Sequence, residues 1–260
     1  MKTNNLLDIE KSIIKKFRKE IWRPFTKAVD EYNLIEENDK IAICISGGKD
    51  SFLLAKCFEE IKKHGKIHFD IEFILMNPGY NKKNMDLILK NAKTLNINLN
   101  IFESNIFENI ESADNACYLC ARKRRGALYD KAKSLGCNKI ALGHHFDDVI
   151  ETILMSQIYN GEFKTMLPIL KSTNFENMYL IRPLYYVREK DIIAWTKYNN
   201  LKFIDCACKV TRKKTSKRLV MKELIKYLNT IYRGADQNIM NSTKDVNLST
   251  IISYRNEDNN

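Results

Sequence analysis

The chain has 260 residues, with 43 lysine and arginine residues against 32 aspartate and glutamate residues, which gives a formal net charge of +11. Its 44% hydrophobic and 29% charged residues are typical of a folded globular protein and exclude a disordered or fibrous one. No run of about 18 uncharged apolar residues occurs, and residues 1–16 lack the apolar core of a secretory signal. We therefore expect no membrane association and a cytoplasmic location.

Helical and strand patterns alternate along most of the chain. Strands are short β-branched runs that end at glycine or proline, whereas helices show apolar residues at a spacing of three and four. Residues 160–180 have neither pattern and are interpreted as an irregular connection. In chain order the sequence predicts helix 7–33, strand 40–46, helix 50–63, strand 69–76, helix 82–95, strand 98–103, a basic helix that follows the Cys117/Cys120 segment and runs to about 135, strand 139–142, helix 146–159, a short strand 180–184, helix 191–198 and helix 216–232.

Strands that alternate with helices of 12–15 residues indicate repeated βαβ units. The predicted fold class is therefore α/β, a Rossmann-like parallel sheet with helices on both faces and with helical N- and C-terminal additions. In the last helix we expect the inward positions to be Leu219, Leu224, Leu228 and Ile231. The predicted division is a helical segment at 1–38, an α/β domain at 39–205, a basic helical segment at 206–233 and a polar tail at 234–260.

The positive charge is concentrated in two segments that each begin at a pair of cysteines. Residues 117–133 carry six basic residues and one acidic residue, and residues 206–233 carry nine and one. One interpretation is two solvated helix faces. The alternative is a polyanion held beside a metal centre, for which nucleic acid is the obvious candidate.

The string Ser46-Gly47-Gly48-Lys49-Asp50-Ser51 lies between a predicted strand and a predicted helix. Two glycines let the backbone approach a ligand closely, and the helix N-terminus that follows attracts anions. Lys49 can add charge, Asp50 can hold Mg²⁺, and the two serine hydroxyls can donate hydrogen bonds. The spacing is not that of a Walker A motif, and an ordinary capped turn is the alternative. The string resembles the pyrophosphate loop of the PP-loop ATP pyrophosphatases, which split ATP into AMP and pyrophosphate.

Cys117 and Cys120 form a CxxC pair, which can ligate zinc, ligate an iron–sulfur cluster or act as a redox pair. Seven cysteines in a cytoplasmic protein are more typical of metal or buried thiol sites than of disulfides. The only other close pair is Cys206 and Cys208. Three thiolates would leave one iron of a [4Fe-4S] cube open for a non-protein ligand, and four would close it. The remaining cysteines lie in apolar segments and are predicted to be core thiols, namely Cys44, Cys57 and Cys137.

The string Gly143-His144-His145-Phe146-Asp147-Asp148 follows the fourth predicted strand. Ligands of open α/β sheets bind at the carboxyl ends of strands, so we expect this string to face the same crevice as Ser46–Ser51. Its adjacent carboxylates can bind Mg²⁺ or orient a nucleophile. The alternative is a pair of helix-capping aspartates.

Taken together, these strings resemble the tRNA 2-thiocytidine synthetase family (TtcA), PP-loop sulfurtransferases that use a [4Fe-4S] cluster. The similarity runs from about residue 32 to residue 232. It is carried by YNLIEENDKIAICISGGKDS (32–51), NPGY (77–80), CYLCARKRRGALY (117–129), KIALGHHFDD (139–148) and IRPLYYVREKDI (181–192).

The resemblance implies a tRNA sulfurtransferase that uses ATP and Mg²⁺ to adenylate a cytidine at C2, at position 32 of the anticodon loop, and then replaces the oxygen with sulfur. It implies cluster ligation by Cys117, Cys120 and a later cysteine, Cys206 with Cys208 as the rival. The implied nucleotide-binding residues are Ser46, Gly47, Gly48, Lys49, Asp50, Ser51 and Gly143. The implied catalytic residues are Asp50, Arg124 and Asp148.

For the tRNA, the candidate contacts are Arg125, Lys213, Lys214, Lys217 and Arg218. Other expected partners are a sulfur donor, either a cysteine desulfurase or free sulfide, and a second copy in a homodimer. Three alternatives stay open: another thiolated base or the reverse desulfuration, a lysidine-synthetase-like ligase with structural zinc, and a nucleic-acid-binding module without catalysis.

Overall fold

A computed structural model describes residues 5–104, 116–204 and 217–254, with the backbone alone for residues 116–121. The chain divides into two compact units. The first comprises Met1–Asp147 with Leu167–Lys214, and the second comprises Asp148–Met166 with Thr215–Asn260. The four-part division predicted from the sequence stays a prediction. Among the described residues, no helix combines the length and apolar character that a membrane span requires.

Within the described residues, the first unit contains a six-stranded sheet with the strand order β3-β2-β1-β4-β6-β5. Every neighbouring pair is parallel except β5 with β6. The predicted α/β fold with a parallel sheet is therefore confirmed. The antiparallel edge strand β5 was not predicted, because it lies within the segment interpreted as irregular. The strands are β1 (Lys40–Ile45), β2 (Asp70–Asn77), β3 (Leu99–Glu103), β4 (Lys139–Ala141), β5 (Ile169–Lys171) and β6 (Tyr179–Ile181).

The helices follow the predicted order, with two short π-helical segments, Ser12–Lys16 and Arg18–Trp22, inside the predicted N-terminal helix. A short helix within the predicted polar tail was not anticipated. The α-helices are α1 (Leu6–Lys11), α2 (Arg23–Glu31), α3 (Lys49–His64), α4 (Lys82–Thr94), α5 (Ala116–Ser134), α6 (Phe146–Asn160), α7 (Glu189–Tyr198), α8 (Lys217–Ile231) and α9 (Ala235–Ser242).

The central strands β1, β4 and β6 are buried on both faces of the sheet, as their apolar residues require, whereas the edge strands β3 and β5 are partly exposed. Ala42 and Cys44 of β1 pack on one face with Tyr129 and Ala132 of α5. Side chains alternate along a strand, so the buried residues between them, such as Ile43, belong to the opposite face.

The predicted core thiols are confirmed. Cys44, Cys57 and Cys137 are free and buried. Burial raises the pKa of each thiol, that of Cys137 to about 11. These three cysteines therefore stay protonated at neutral pH, which suits packing rather than metal ligation.

The predicted inward face of α8 was partly wrong. Leu219 and Ile231 are exposed, and the buried residues are Met221 and Ile225. Positions 221 and 225, together with the half-buried Leu224 and Leu228, follow the spacing of one helical stripe. The prediction followed the leucines and passed over the methionine and isoleucine that align better with that spacing.

The strand order places a topological switch point between β1 and β4. From β1 the chain proceeds to β2 and β3 on one side, whereas β4 and β6 lie on the other. Ligands of such sheets bind in the crevice at the carboxyl ends of the strands on either side of this point. Residues 46–48 and 142–145 follow β1 and β4, and both therefore border the crevice.

Candidate active site

The loop after β1 leads directly into α3. Gly48 occupies the N-cap position with extended backbone, and within the described part of the chain no side chain caps this helix. The first-turn N–H groups and the positive end of the helix dipole therefore favour an anion at this end.

Hydrogen bonds hold the loop in one conformation. The Ser51 hydroxyl donates to the Gly48 carbonyl oxygen at 2.9 Å and accepts from the Ser46 backbone N–H at 3.1 Å. From the loop after β2, the Tyr80 hydroxyl donates to the Ser46 carbonyl oxygen at 3.1 Å. That second loop is ordered in turn by Asn77, whose side-chain oxygen accepts from the Tyr80 backbone N–H at 2.9 Å. Hydrogen bonds within the loop and one from the loop after β2 therefore stabilise its conformation.

We predict that Tyr80→Phe weakens ATP binding about threefold to tenfold, the value of one neutral hydrogen bond. The change removes a single hydroxyl and keeps the ring, so the loss measures the contacts of that hydroxyl, which include the hydrogen bond to Ser46. Calorimetric titration with ATP measures it. Tyr227→Phe, at a residue that is 62% exposed in the second unit, is the matched control and should bind ATP as the unmodified protein does. Equal affinities for the two variants would contradict the prediction.

Gly47 has a backbone conformation that requires glycine. Its φ is +84°, and a Cβ placed there would lie 2.7 Å from the Cδ1 atoms of both Ile88 and Ile204. The positive φ and the packing beneath the loop therefore account for glycine at this position, and the predicted close approach of Gly47 to a ligand stays a prediction.

We predict that Gly47→Ala lowers the free energy of unfolding by about 2–3 kcal/mol, the sum of a left-handed φ and overpacking. ATP affinity should fall at least tenfold, since the loop must shift. Urea unfolding and titration with ATP measure the two effects. Gly79→Ala is the control for stability, because Gly79 also has a positive φ, +89°, but open space around it. Equal destabilisation by the two changes would show that crowding at Gly47 contributes nothing.

Gly143 allows the end of β4 to approach the start of α3. A Cβ at Gly143 would lie 3.1 Å from the Asp50 carbonyl carbon and 3.1 Å from the Ser51 nitrogen. The predicted proximity of the two strings is confirmed at this point.

A cluster of charged side chains borders the loop. The Lys49 ammonium lies 3.1 Å from Asp50 Oδ1 and 3.1 Å from Glu189 Oε1, at the start of α7. Buried His145 lies between two carboxylates, with Nε2 at 3.9 Å from Asp50 Oδ1 and Nδ1 at 3.7 Å from Asp147 Oδ2. Burial alone would lower the pKa of Lys49, but the carboxylates of Asp50 and Glu189 outweigh it and raise that pKa above its ordinary value. Lys49 is therefore a cation at neutral pH.

Glu189 was not among the predicted site residues. It follows β6, which pairs in parallel with β4. Segments that follow parallel strands lie at the carboxyl edge of the sheet, and this rule applies to the segment after β6 as it does to Gly143. The sequence did not show that β6 is the strand next to β4.

The second unit contains three of the predicted site residues. Asp148 accepts a hydrogen bond from Arg218 Nη1 at 2.5 Å, and Arg218 Nε lies 3.6 Å from Glu151. The Lys217 ammonium lies 4.7 Å from the centre of the Tyr159 ring. The predicted roles of Asp148 in catalysis and of Lys217 and Arg218 in RNA binding stay predictions.

On α5 in the first unit, Arg124 is half-buried and Arg125 is exposed. The side chains of Cys117 and Cys120 lie outside the described residues, although the backbone of α5 places these two positions one helical turn apart. Four further predicted residues also lie outside the described residues, namely Cys206, Cys208, Lys213 and Lys214.

A family model described as the PP-loop domain matches residues 15–226. The chain is 36% identical over 218 residues to the tRNA-cytidine(32) 2-sulfurtransferase of Geobacter metallireducens, an alignment that covers 82% of this chain and 84% of that protein. It is 32% identical over 253 residues to the enzyme of the same name from Aeromonas hydrophila, covering 95% of this chain and 82% of that one. The chain belongs to the PP-loop family of tRNA 2-sulfurtransferases. The resemblance noted in the sequence is therefore confirmed, and the assignment of Ser46–Ser51 as the PP-loop stays a prediction.

Among solved structures, the chain is similar to the U34-tRNA thiolase NcsA from Methanococcus maripaludis with its [4Fe-4S] cluster. The two share 22% sequence identity with a TM-score of 0.69, over 86% of this chain and 77% of that chain. At this level of identity the likeness concerns the fold, and it agrees with the PP-loop sheet described above.

Proposed function

We propose that this protein is an ATP-dependent tRNA sulfurtransferase, which adenylates cytidine 32 of the anticodon loop at C2 and replaces the oxygen with sulfur. The observation that carries the proposal is the PP-loop, built at the switch point of a chain that aligns with 84% of a tRNA-cytidine(32) 2-sulfurtransferase. An anion-binding loop accounts for the ATP, and the relatives' names supply the acceptor and the transferred atom.

ATP would bind with its phosphates on the PP-loop. The N–H groups at the start of α3 and the Lys49 ammonium supply donors and positive charge for the phosphates. The cytidine 2-oxo group attacks the α-phosphorus, pyrophosphate leaves, and the oxygen is then part of an AMP leaving group. Arg124 and Arg125 of α5 are the candidates to stabilise the negative charge that develops.

Mg²⁺ fits the charge of this site. Two carboxylates, from Asp50 and Glu189, contact the Lys49 ammonium, and Asp147 accepts a hydrogen bond from the Glu189 backbone N–H, so a triphosphate would add negative charge to a site that already holds these acids. In the described residues, no three His, Cys, Asp or Glu side chains form a metal-binding group. Mg²⁺ commonly takes only one or two protein carboxylates and binds phosphate oxygens and water for the rest. Asp50, with Asp148 as the second candidate, would supply the protein ligand.

The cysteines outside the core are sufficient in number to ligate a [4Fe-4S] cluster. Three of the seven cysteines are the buried thiols of the core, which leaves four for ligation. Thiolates are the ligands that iron–sulfur clusters take. We assign Cys117, Cys120 and Cys206 as the ligands, with Cys208 as the rival. A bound cluster with three protein ligands would carry the sulfide that the donor provides and that replaces the cytidine oxygen.

For the tRNA, we propose contacts from Arg125, Lys213, Lys214, Lys217 and Arg218. Anticodon-loop bases are single-stranded and can be extruded into a pocket. Contacts with phosphates release counterions, so tRNA affinity should fall steeply with salt. A cytoplasmic location, a homodimer and a cysteine desulfurase or free sulfide as the sulfur donor complete the proposal.

Nucleoside mass spectrometry of tRNA from a deletion strain tests the proposal. We expect 2-thiocytidine to disappear and to return when the gene is restored. An unchanged nucleoside profile would reject the function. A second measurement, the release of pyrophosphate from ATP with Mg²⁺ and tRNA, distinguishes an enzyme from a nucleic-acid-binding module. Protein purified without oxygen that contains zinc and lacks iron would favour the lysidine-synthetase-like alternative.

A further inference from the structure

An acid from outside the PP-loop contacts the lysine within it. Glu189 lies 140 positions from Lys49 in the sequence, yet its Oε1 atom is 3.1 Å from the Lys49 ammonium. The two side chains are only 20% and 25% exposed. A pair this sheltered is screened less by salt than a surface ion pair, so its geometry matters more.

Contacts between the start of α6 and the start of α7 fix the position of Glu189. Asp147 Oδ2 accepts a hydrogen bond from the Glu189 backbone N–H at 2.7 Å. The Phe146 backbone N–H donates to the Val187 carbonyl oxygen at 3.0 Å, and the Arg188 guanidinium lies 4.2 Å from the centre of the Phe146 ring. These contacts between the start of α6 and residues 187–189 hold the backbone of Glu189 in place. Its carboxylate therefore meets Lys49 from a fixed position.

A structural explanation of Glu189 is available and must be separated from a functional one. Acids in the first turn stabilise a helix through its dipole, and α7 has two of them, Glu189 and Asp191. This effect does not require any contact with Lys49, and Asp191 supplies the same charge to the same turn. A comparison of these two residues therefore separates the helix dipole from the contact.

We propose that Glu189 is a positioning residue, which orders the Lys49 ammonium at the PP-loop before the phosphates of ATP arrive. The inference rests on the proposed function, since it takes ATP to be the ligand of the PP-loop. A free lysine side chain loses much rotamer freedom on binding a phosphate. Because Glu189 restricts that freedom in advance, Lys49 binds the phosphates at a smaller entropic cost.

Simple electrostatics predicts the opposite change in ATP affinity when Glu189 loses its charge. A carboxylate next to an anion site repels the anion, so its neutralisation should tighten ATP binding. Positioning through Lys49 instead predicts weaker binding when Glu189 loses its charge. The direction of the change in ATP affinity therefore decides between the two.

Calorimetric titration of the full chain with ATP and Mg²⁺ tests the inference in a double-mutant cycle. We expect Glu189→Gln to weaken binding about 5- to 10-fold, less than the loss of a whole charge-assisted hydrogen bond because the glutamine oxygen can still accept from Lys49, and Asp191→Asn to stay within about twofold. Lys49→Met should weaken binding at least as much as Glu189→Gln, and the double variant should bind no more weakly than Lys49→Met alone. Tighter or unchanged binding by Glu189→Gln would overturn the inference, as would additive losses in the double variant.

Thermal melts check that each variant is folded. If Glu189→Gln unfolds below the assay temperature, Glu189→Asp replaces it in the double-mutant cycle. Aspartate keeps the negative charge, but its side chain is shorter by one methylene. The same loss and the same non-additivity with Lys49→Met are expected. If the unmodified protein binds no ATP, the proposed function fails and the inference fails with it. If it binds ATP and Glu189→Gln binds equally well, the inference alone fails.

Discussion

Lys56→Met is expected to lower the free energy of unfolding by about 3–5 kcal/mol, the usual cost of breaking a buried ion pair on one side. Lys56 lies on α3 and is 1% exposed. Its ammonium is 2.6 Å from Glu10 Oε1 and 3.2 Å from the Leu95 carbonyl oxygen, and it also contacts the Glu59 carboxylate. Methionine fills similar space but leaves the two carboxylates without this cation. Urea unfolding followed by circular dichroism measures the change.

Lys62→Met provides the matched control on the same helix. Lys62 lies 2.7 Å from Asp70 Oδ1, and the two side chains are 41% and 73% exposed. An exposed pair contributes little, so we expect a loss below about 1 kcal/mol. If the two variants unfold at the same urea concentration, burial of the Lys56 ion pair does not contribute to stability.

The buried lysines mark a limit of sequence analysis. Hydrophobic periodicity assigns lysine to the exposed side of a helix or strand, because an isolated charge is costly to bury. Lys139 is 1% exposed, yet its ammonium lies 2.7 Å from Asp39 Oδ2 and 2.8 Å from Glu36 Oε2. The compensating acids lie about a hundred positions away in the sequence. Only the sheet brings them together, so local pattern could not predict the burial.

The strands around the switch point could be predicted because each combines a strong local pattern with a clear end. β1 is a run of apolar and β-branched residues that stops at two glycines, and β4 stops at Gly143. β5, in contrast, has only three residues, directly follows Pro168 and exists because it pairs with β6. Short edge strands of this kind depend on their partner more than on their own sequence.

The residues of the candidate site also divide into those that a local pattern predicts and those that only the strand order brings into place. Ser46–Ser51 and Gly143 could be predicted, since glycines at strand ends are a local signal. Tyr80 and Glu189 could not, because each meets the loop only through the order of the strands. β2 lies beside β1 and brings Tyr80, and β6 lies beside β4 and brings Glu189.

Cys117→Ala is expected to abolish tRNA thiolation and to reduce the iron content of anaerobically purified protein, while ATP binding is retained. The reason is chemical: burial raises the pKa of the thiols of Cys44, Cys57 and Cys137, so these residues do not replace a missing thiolate ligand. Iron analysis, visible absorption and nucleoside mass spectrometry of treated tRNA measure the effects. A Cys117→Ala protein that still thiolates tRNA would exclude the cluster mechanism.

The Cys206→Ala and Cys208→Ala variants form a matched pair that identifies the third ligand. The two residues are separated by a single alanine, so each variant removes one thiol from the same segment. Under our assignment Cys206→Ala loses iron and thiolation together, as Cys117→Ala does, and Cys208→Ala keeps both. The reverse outcome moves the third ligand to Cys208. Loss in both variants indicates four protein ligands and therefore a closed cluster, which leaves no iron open to carry sulfur and contradicts a role for the cluster in transfer.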